Sequence, residues 1–316
     1  MRTSTGFLLA SGLLVSVALS GCASASSCTP AWDRGGLAEK VTVSGEFGGT
    51  ISASFPKPLV QTGEATTAII DEGDGEIVRD GQFASAVVTI IDSATGDPLD
   101  GGTLLRLVGD EAPRLTTAVE CATVGSRVVA VGPASELIGA EYLQENELGF
   151  APDDTLVYVI DVVDAFLGRA NGDDRLPQNG LPTISLGPDG RPGFTFTNAP
   201  APEDLRISVL KEGDGAVVAE GDTVVTHYTG VSWATRTVFD SSWASGAPAP
   251  LIAADGTTTQ GGVVPGFAQA LIGQRVGSQV LVSIPAELAY PAGSSSPVAG
   301  ESLLFVFDVL GILEEG

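Results

Sequence analysis

Residues able to do chemistry are concentrated in one stretch. Val224 to Trp243, read VVTHYTGVSWATRTVFDSSW, holds the only histidine of the chain, two of its three tryptophans and an Asp-Ser-Ser triplet. Period-two alternation puts Val224, Thr226 and Tyr228 on one face of an extended segment and Val225, His227 and Thr229 on the other. His227 therefore faces away from Tyr228, and a hydrogen-bonded structural histidine is expected there rather than a catalytic one. Aromatic residues at alternating strand positions ordinarily fill a core, so Tyr228, Phe239 and Phe307 taken by themselves read as plain packing. Clustered acids, Asp71-Glu72-Gly73-Asp74 and Asp153-Asp154, invite a calcium reading but lack the ligand ladder of an EF-hand loop. Glu-Gly-Asp-Gly recurs at Glu72–Gly75 and Glu212–Gly215, which favours solvated turns. No metal and no cofactor is expected.

The elements that must position these residues emerge from an internal repeat. Thr67 to Asp100 aligns without gaps against Ile207 to Asp240, at an offset of 140. Thr123 to Val131 matches Arg275 to Ile284, and Leu156 to Val163 matches Leu303 to Leu310. The chain reads as a tandem of two related domains, residues 41–167 and 183–316. The stretch between them, 168–182, is rich in Gly, Pro, Asn and Asp and reads as a linker. Val41 to Phe55 and Thr183 to Thr197 each read as a hairpin opening a domain. Short turn-bounded strands dominate, among them Ser278 to Pro285 and Leu303 to Ile312. One helix is expected in the second domain over Pro265 to Gly277, with Pro near its start and Phe267, Leu271 and Ile272 on one face. Its counterpart is expected near Leu115 to Thr123. The fold class is α+β: two tandem domains, each an antiparallel β-sheet with one short α-helix packed on one face.

Charge and the N-terminus restrict the setting. The chain of 316 residues carries a formal net charge of −24, which disfavours nucleic acid and anionic headgroups as partners. Met1-Arg2-Thr3 followed by an apolar run to Leu19 describes an export signal over residues 1–21. Its ending, Leu19-Ser20-Gly21-Cys22, resembles the bacterial lipobox, which implies diacylation of the Cys22 thiol and a lipidated tether over residues 22–40. The expected location is the extracytoplasmic face of the cell membrane, held by lipid. An ordinary signal peptide with an incidental cysteine is the alternative. Cys28 and Cys121 remain, and in an exported protein such a pair can close a disulfide that restricts the unfolded chain by ~4 to 5 kcal/mol. The other reading makes Cys121 a small buried apolar residue and Cys28 a free thiol.

A family resemblance is carried by several motifs in order. Val-x-x-Tyr-Thr-Gly ends at Gly230, Phe-Asp-Ser-Ser begins at Phe239, Gly266-Phe267 opens a helix, Val276-Gly277-Ser278 and Ala289-Tyr290 follow, and Leu304-Phe305-x-Phe307-Asp308-Val309 closes the series. Together these resemble the FKBP-type peptidyl-prolyl cis-trans isomerases over about 207–313. The resemblance implies an FKBP-like fold for both domains and, in the second, a pocket that receives a proline ring. Phe267 would be its floor, with Tyr228, Phe239 and Phe307 as walls and Val263 and Leu251 beside them. The Val264 N–H and the Tyr290 hydroxyl would hold substrate carbonyls, and Asp240 would place a carboxylate beside the rotating amide. Catalytic roles are thus expected of Asp240, Tyr228 and Tyr290.

Rotation about an Xaa-Pro bond meets a barrier of ~18 to 20 kcal/mol because amide resonance is lost in the twisted state. No covalent bond breaks, so no nucleophile is required. An apolar pocket that favours the twisted, less charge-separated amide suffices. Three positions depart from the family pattern: Phe267 stands where Trp is usual, Pro291 where Gly is common, and Leu251 where an aromatic is frequent. The first domain has Val88 opposite Tyr228 and Leu99 opposite Phe239, and keeps only Asp100 opposite Asp240. It is expected to be FKBP-like without isomerase activity. The leading expectation is a membrane-anchored isomerase acting as a monomer on proline-containing exported polypeptides. A non-catalytic lipoprotein or chaperone that grips proline segments is the alternative, and a wall-structural protein the third.

Overall fold

The computed structural model describes residues 28–79, 82–107, 113–145, 149–176 and 180–313. The signal segment and Cys22 lie outside the described residues, as does the side chain of Asp100. Seven strands come first: β1 (Thr42–Gly45), β2 (Ile51–Ser54), β3 (Thr66–Asp71), β4 (Phe83–Asp92), β5 (Pro98–Leu107), β6 (Arg127–Pro133) and β7 (Thr155–Phe166). Ten follow: β8 (Asp173–Asp174), β9 (Thr183–Leu186), β10 (Pro192–Thr195), β11 (Arg206–Glu212), β12 (Thr223–Ser232), β13 (Val238–Ser241), β14 (Ala249–Asp255), β15 (Gly262–Val263), β16 (Gln279–Ile284) and β17 (Leu303–Leu313).

Two main sheets result. The first has the order β3-β6-β7-β4-β5, all antiparallel. The second runs β15-β14-β12-β17-β16-β11-β8, with β13 also on β12. Strands related by the sequence repeat occupy matching places, and the pairing agrees to the residue. Ile90 faces Asp100 as Gly230 faces Asp240, and Val88 faces Ile160 as Tyr228 faces Phe307. The bulge between Ser85 and Ala86 recurs between Val225 and Thr226, so the offset of 140 holds through the irregularity.

The recurring Glu-Gly-Asp-Gly has a packing cause. A Cβ on Gly73 would lie 2.2 Å from the Val124 carbonyl oxygen, and one on Gly213 would lie 2.1 Å from that of Val276. Each glycine N–H also donates to a serine hydroxyl, Ser126 at 2.9 Å and Ser278 at 3.0 Å. The Val-Gly-Ser motif is thus the other half of the same turn.

Several expectations need correction. The second sheet carries a one-turn helix α3, Ser242–Ser245, besides the expected one; the expected helix, α4, covers Pro265–Leu271, not 265–277, because Ile272 is already extended and Gly273 turns at φ 84°. Among the described residues the first sheet is packed by two helical segments rather than one. Helix α1 is Pro113–Val119, and a π-helical turn over Ser135–Gly139 runs into α2, Ala140–Glu145. The second sheet is not wholly antiparallel, since β14 and β15 run parallel. Part of the expected linker is structure: β8 adds an edge to β11, and Ala170 is buried, its N–H donating to the Asp308 carboxylate at 2.9 Å.

Each sheet is covered on its second face by its opening hairpin. Val41, Ile51 and Phe55 pack on Val129, Val131, Val157 and Val159, and Ile184, Phe194 and Phe196 pack on Val231, Leu281, Leu304 and Val306. A buried polar pair lies in each sheet between equivalent strands. Arg127 donates to Asp161 at 2.6 and 2.8 Å and to the carbonyls of Gly45 and Glu46 at 2.9 Å each, while Asp161 accepts the Gly48 N–H. Gln279 donates to Asp308 at 2.7 Å in the second sheet. The sheets meet through Phe166, buried with Val225, Leu310 and Leu313. A disulfide joins Cys28 to Cys121, fastening the N-terminal segment whose Trp32 enters the first core.

Candidate functional site

The site is built on β12, β13, β17 and α4. Alternation along β17 turns Phe305 and Phe307 to one side, and their rings stack at 5.6 Å with 8° between planes. Phe267, the third residue of α4, stands edge-on to both, at 4.5 and 5.1 Å. Phe239 adds an edge contact to Phe305 at 5.6 Å. Such edge-to-face arrangements are the favoured ones for aromatic quadrupoles. Gly230 in the Tyr-Thr-Gly motif makes the cluster possible: a Cβ there would come 2.5 Å from the Phe305 ring and 2.9 Å from that of Phe239.

Tyr228 lies across from Phe307 on the neighbouring strand and tilts toward both β17 rings at 6.3 Å. Its hydroxyl donates to the Asp240 carboxylate at 2.9 Å. Burial, then the hydrogen bond to Asp240 and its charge, push the Tyr228 phenol upward. Burial and the charge of Asp240 raise Tyr290 as well. Both phenols therefore stay protonated and able to donate throughout the physiological range.

The positions named from the sequence divide as follows. Tyr228, Phe239, Leu251, Val264, Phe267 and Tyr290 are half-buried members of one cluster with buried Phe307. Asp240 is exposed at its rim, on β13. Val264 precedes Pro265 as the N-cap of α4, and Val263 lies in β15, paired with Asp255. Phe305 went unnamed as a site residue, although its ring touches Phe239, Phe267 and Phe307 at once. The signal was there, because Phe305 shares the parity of Phe307 along the strand. His227 is buried on the opposite face, its Nδ1 2.9 Å from the Ser242 hydroxyl and its ring stacked 3.9 Å from Trp243. Phe83 of the first sheet meets it edge-on at 5.8 Å. Ser242 Oγ also accepts the Tyr228 N–H at 2.8 Å.

Residues 215–310 match the family described as FKBP-type peptidyl-prolyl cis-trans isomerase. An FK506-binding protein of Streptomyces anulatus is 37% identical over 125 residues, covering 39% of this chain and 97% of the relative. An FKBP-type 22 kDa peptidyl-prolyl cis-trans isomerase of Escherichia coli is 41% identical over 112 residues, 34% of this chain and 50% of the relative. An outer membrane protein MIP of Legionella longbeachae is 34% identical over 113 residues, 35% and 45% respectively. With nearly the whole of a relative aligned at that identity, and with the motif residues gathered on one aromatic surface, the chain belongs to the FKBP-type peptidyl-prolyl cis-trans isomerases.

Proposed function

We propose that the second sheet catalyses Xaa-Pro rotation in exported polypeptides while the chain is held to the outer face of a membrane by lipid on Cys22. The observation that carries the catalytic part is the Tyr228–Asp240 hydrogen bond at the rim of the four-phenylalanine surface. A proline ring rests on Phe267, walled by Phe239 and Tyr228, with Leu251 and Val263 at the margin and the buried rings of Phe305 and Phe307 supporting the wall from behind. The Val264 N–H and the Tyr290 hydroxyl hold the flanking carbonyls. Asp240, kept in place by Tyr228, lies beside the amide as it twists. Rate enhancement comes from transferring the planar amide out of water into a surface that suits its twisted, less polar form.

The first sheet we read as a degenerate copy of the second. The matching order of the equivalent strands, their register and the bulge position support duplication. Its counterpart of the pocket is filled: Leu115, Leu137 and Leu143 from the helical segments join Tyr158 and Ile160 in the core. The anchor and the location rest on Leu-Ser-Gly-Cys22, on the disulfide, which suits an oxidising compartment, and on the membrane setting in the name of the Legionella relative. Among the described residues no helix is long and apolar enough to cross a membrane.

The test is an isomerisation assay on short Xaa-Pro peptides with the full chain, Asp240→Ala and Tyr228→Ala. Parent activity at the uncatalysed background, with peptide affinity kept, would favour the binding-only lipoprotein instead. Mass analysis of the native protein reads the anchor, and an unmodified N-terminus removes it.

A further inference from the structure

Behind the pocket, on the other face of β12, His227 is buried between two aromatic rings. Trp243 stacks on it at 3.9 Å with 19° between planes, and Phe83 of the first sheet meets it edge-on at 5.8 Å. Phe83 is the first residue of β4 and is paired with Phe166 of β7. The register of β12 against β17 leaves Leu310 unmatched at the bulge, and its carbonyl accepts the Leu167 N–H from the end of the first sheet at 3.1 Å. Beside it Phe166 takes the room left by Gly311, where a Cβ would come 2.3 Å from the ring. Strand pairing on one side and this packing on the other therefore hold Phe83 against the imidazole.

The imidazole in turn holds a hydroxyl that serves the pocket. Strand β13 ends at Ser241, after pairing Gly230 with Asp240 and Thr229 with Ser241. The next step of the ladder is made by a side chain: the Ser242 Oγ accepts the Tyr228 N–H at 2.8 Å and lies 2.9 Å from His227 Nδ1. Ser242 stands two residues beyond Asp240, so one hydroxyl ties the backbone of Tyr228 to the segment that carries its carboxylate partner. Either tautomer of the neutral ring suffices, since Nδ1 accepts the Ser242 proton in one and donates to its oxygen in the other. At the register-equivalent position the first sheet has Val87, which can do neither.

We propose that Phe83 is a positioning residue for the isomerase site. One stacked ring leaves an imidazole free to slide, and a second, set at 73° to it, restricts that freedom. Pressed in this way, His227 keeps Ser242 on the Tyr228 backbone, and the Tyr228 hydroxyl stays directed at Asp240. The copy whose own pocket is filled thus serves the open one by fixing the orientation of its rim. This role rests on the reading of the Tyr228–Asp240 pair given above.

The experiment uses the full chain and a short Xaa-Pro peptide, together with the His227 ring and Tyr228 amide resonances. Selective labelling isolates these, because the chain has one histidine and four tyrosines. Phe83→Ala lowers turnover about fivefold, in kcat rather than KM, and shifts both resonances. Leu167→Ala trims the same apolar contact between the sheets but leaves both rings on His227 in place. It stays within about twofold of the parent and shifts neither resonance. Ser242→Ala lowers turnover about tenfold, and adding Phe83→Ala to it costs less than about a further twofold, because the two act along one line. If Phe83→Ala does not fold, Phe83→Leu keeps the apolar volume without the ring and loses about threefold. Unchanged turnover or unshifted resonances on loss of the Phe83 ring, an equal loss in Leu167→Ala, or losses that multiply in the double variant each overturn the role of Phe83. Parent turnover in Tyr228→Phe overturns instead the reading of the Tyr228–Asp240 pair, and the Phe83 variants distinguish the two failures.

Discussion

The two sheets share a backbone and differ in what stands on it. At register-equivalent positions the first has Val88, Ile90, Leu99, Tyr158 and Ile160 where the second has Tyr228, Gly230, Phe239, Phe305 and Phe307. The third residue of the matching helix is Leu115 in one and Phe267 in the other. The exchange of glycine for isoleucine decides most. Gly230 leaves room for two rings to meet above the strand, whereas Ile90 occupies that place itself and packs on the first core. Beyond this, the chain after β6 folds into Ser135–Glu145 and buries Leu137, while the chain after β16 forms only a short turn, Ala286–Leu288, before Tyr290. In the first sheet these helical residues close over the core, whereas in the second Tyr228, Phe239, Phe267 and Tyr290 stay half-buried. Strand register is shared by the two sheets because bulges and turn glycines fix it; the aromatic surface is separable because it depends on side-chain volume at a handful of positions.

Moving residues between the copies should therefore move the properties. The largest effect is expected from Gly230→Ile, which imports the first sheet's side chain into the aromatic cluster. Isomerase activity of the full chain should fall to the uncatalysed background, with ~1 to 3 kcal/mol lost from overpacking. Peptide turnover and denaturant titration read the two, and activity surviving in a folded variant would mean that the first sheet is itself catalytic.

Next come the two buried polar pairs. Arg127→Met strands the Asp161 carboxylate and should cost ~3 to 5 kcal/mol. Gln279→Met removes a neutral partner from Asp308 and should cost only ~1 to 3 kcal/mol. Burial already pushes the Asp308 carboxyl upward, against the pull of the Ala170 and Gln279 donors. Equal losses in chemical denaturation would contradict the distinction.

His227 supplies a pH test. Burial lowers its pKa to about 4, so the folded state favours the neutral ring. The unfolded chain binds the proton first, and stability contributed by this group is whole above pH ~6.5 and lost as pH falls toward 4. The loss approaches ~3 kcal/mol at most. His227→Gln should flatten this part of the stability profile between pH 7 and 4, and an unchanged slope would refute the assignment.

The smallest effect is expected from Tyr228→Phe, which keeps the ring and removes the hydroxyl that holds Asp240. A fall of about tenfold in kcat/KM with an unchanged melting temperature is expected, the loss of one partner of a carboxylate. A larger loss would give the hydroxyl itself a part in the reaction.

Much of this was legible in the sequence, for identifiable reasons. Alternation and turn glycines encode strand pairing locally, so the repeat, both hairpins and the faces of Tyr228 and His227 could be read directly. Phe305 was overlooked because a buried strand is apolar on both faces, and parity alone had to separate it from Val306. The helical turn over Ser135–Glu145 and the pairing of Asp173–Asp174 with β11 depend on contacts made across the fold, where local propensity gives little guidance. The closeness required of Gly230 is likewise a tertiary fact: its neighbours in space are 9 and 75 residues away.

The place of β17 also has a consequence in time. It lies within its sheet, between β12 and β16, and among the described residues it is the last strand to appear. A polypeptide emerging N-terminus first can close the first sheet as soon as Thr155–Phe166 is out, because every strand of that sheet is then present. The second sheet must wait for Leu303–Leu313, and until then β12 and β16 lack the partner between them. The filled copy can be complete while the open one is still being delivered, so the exposed aromatic strands of the late domain emerge beside an early neighbour that is already folded.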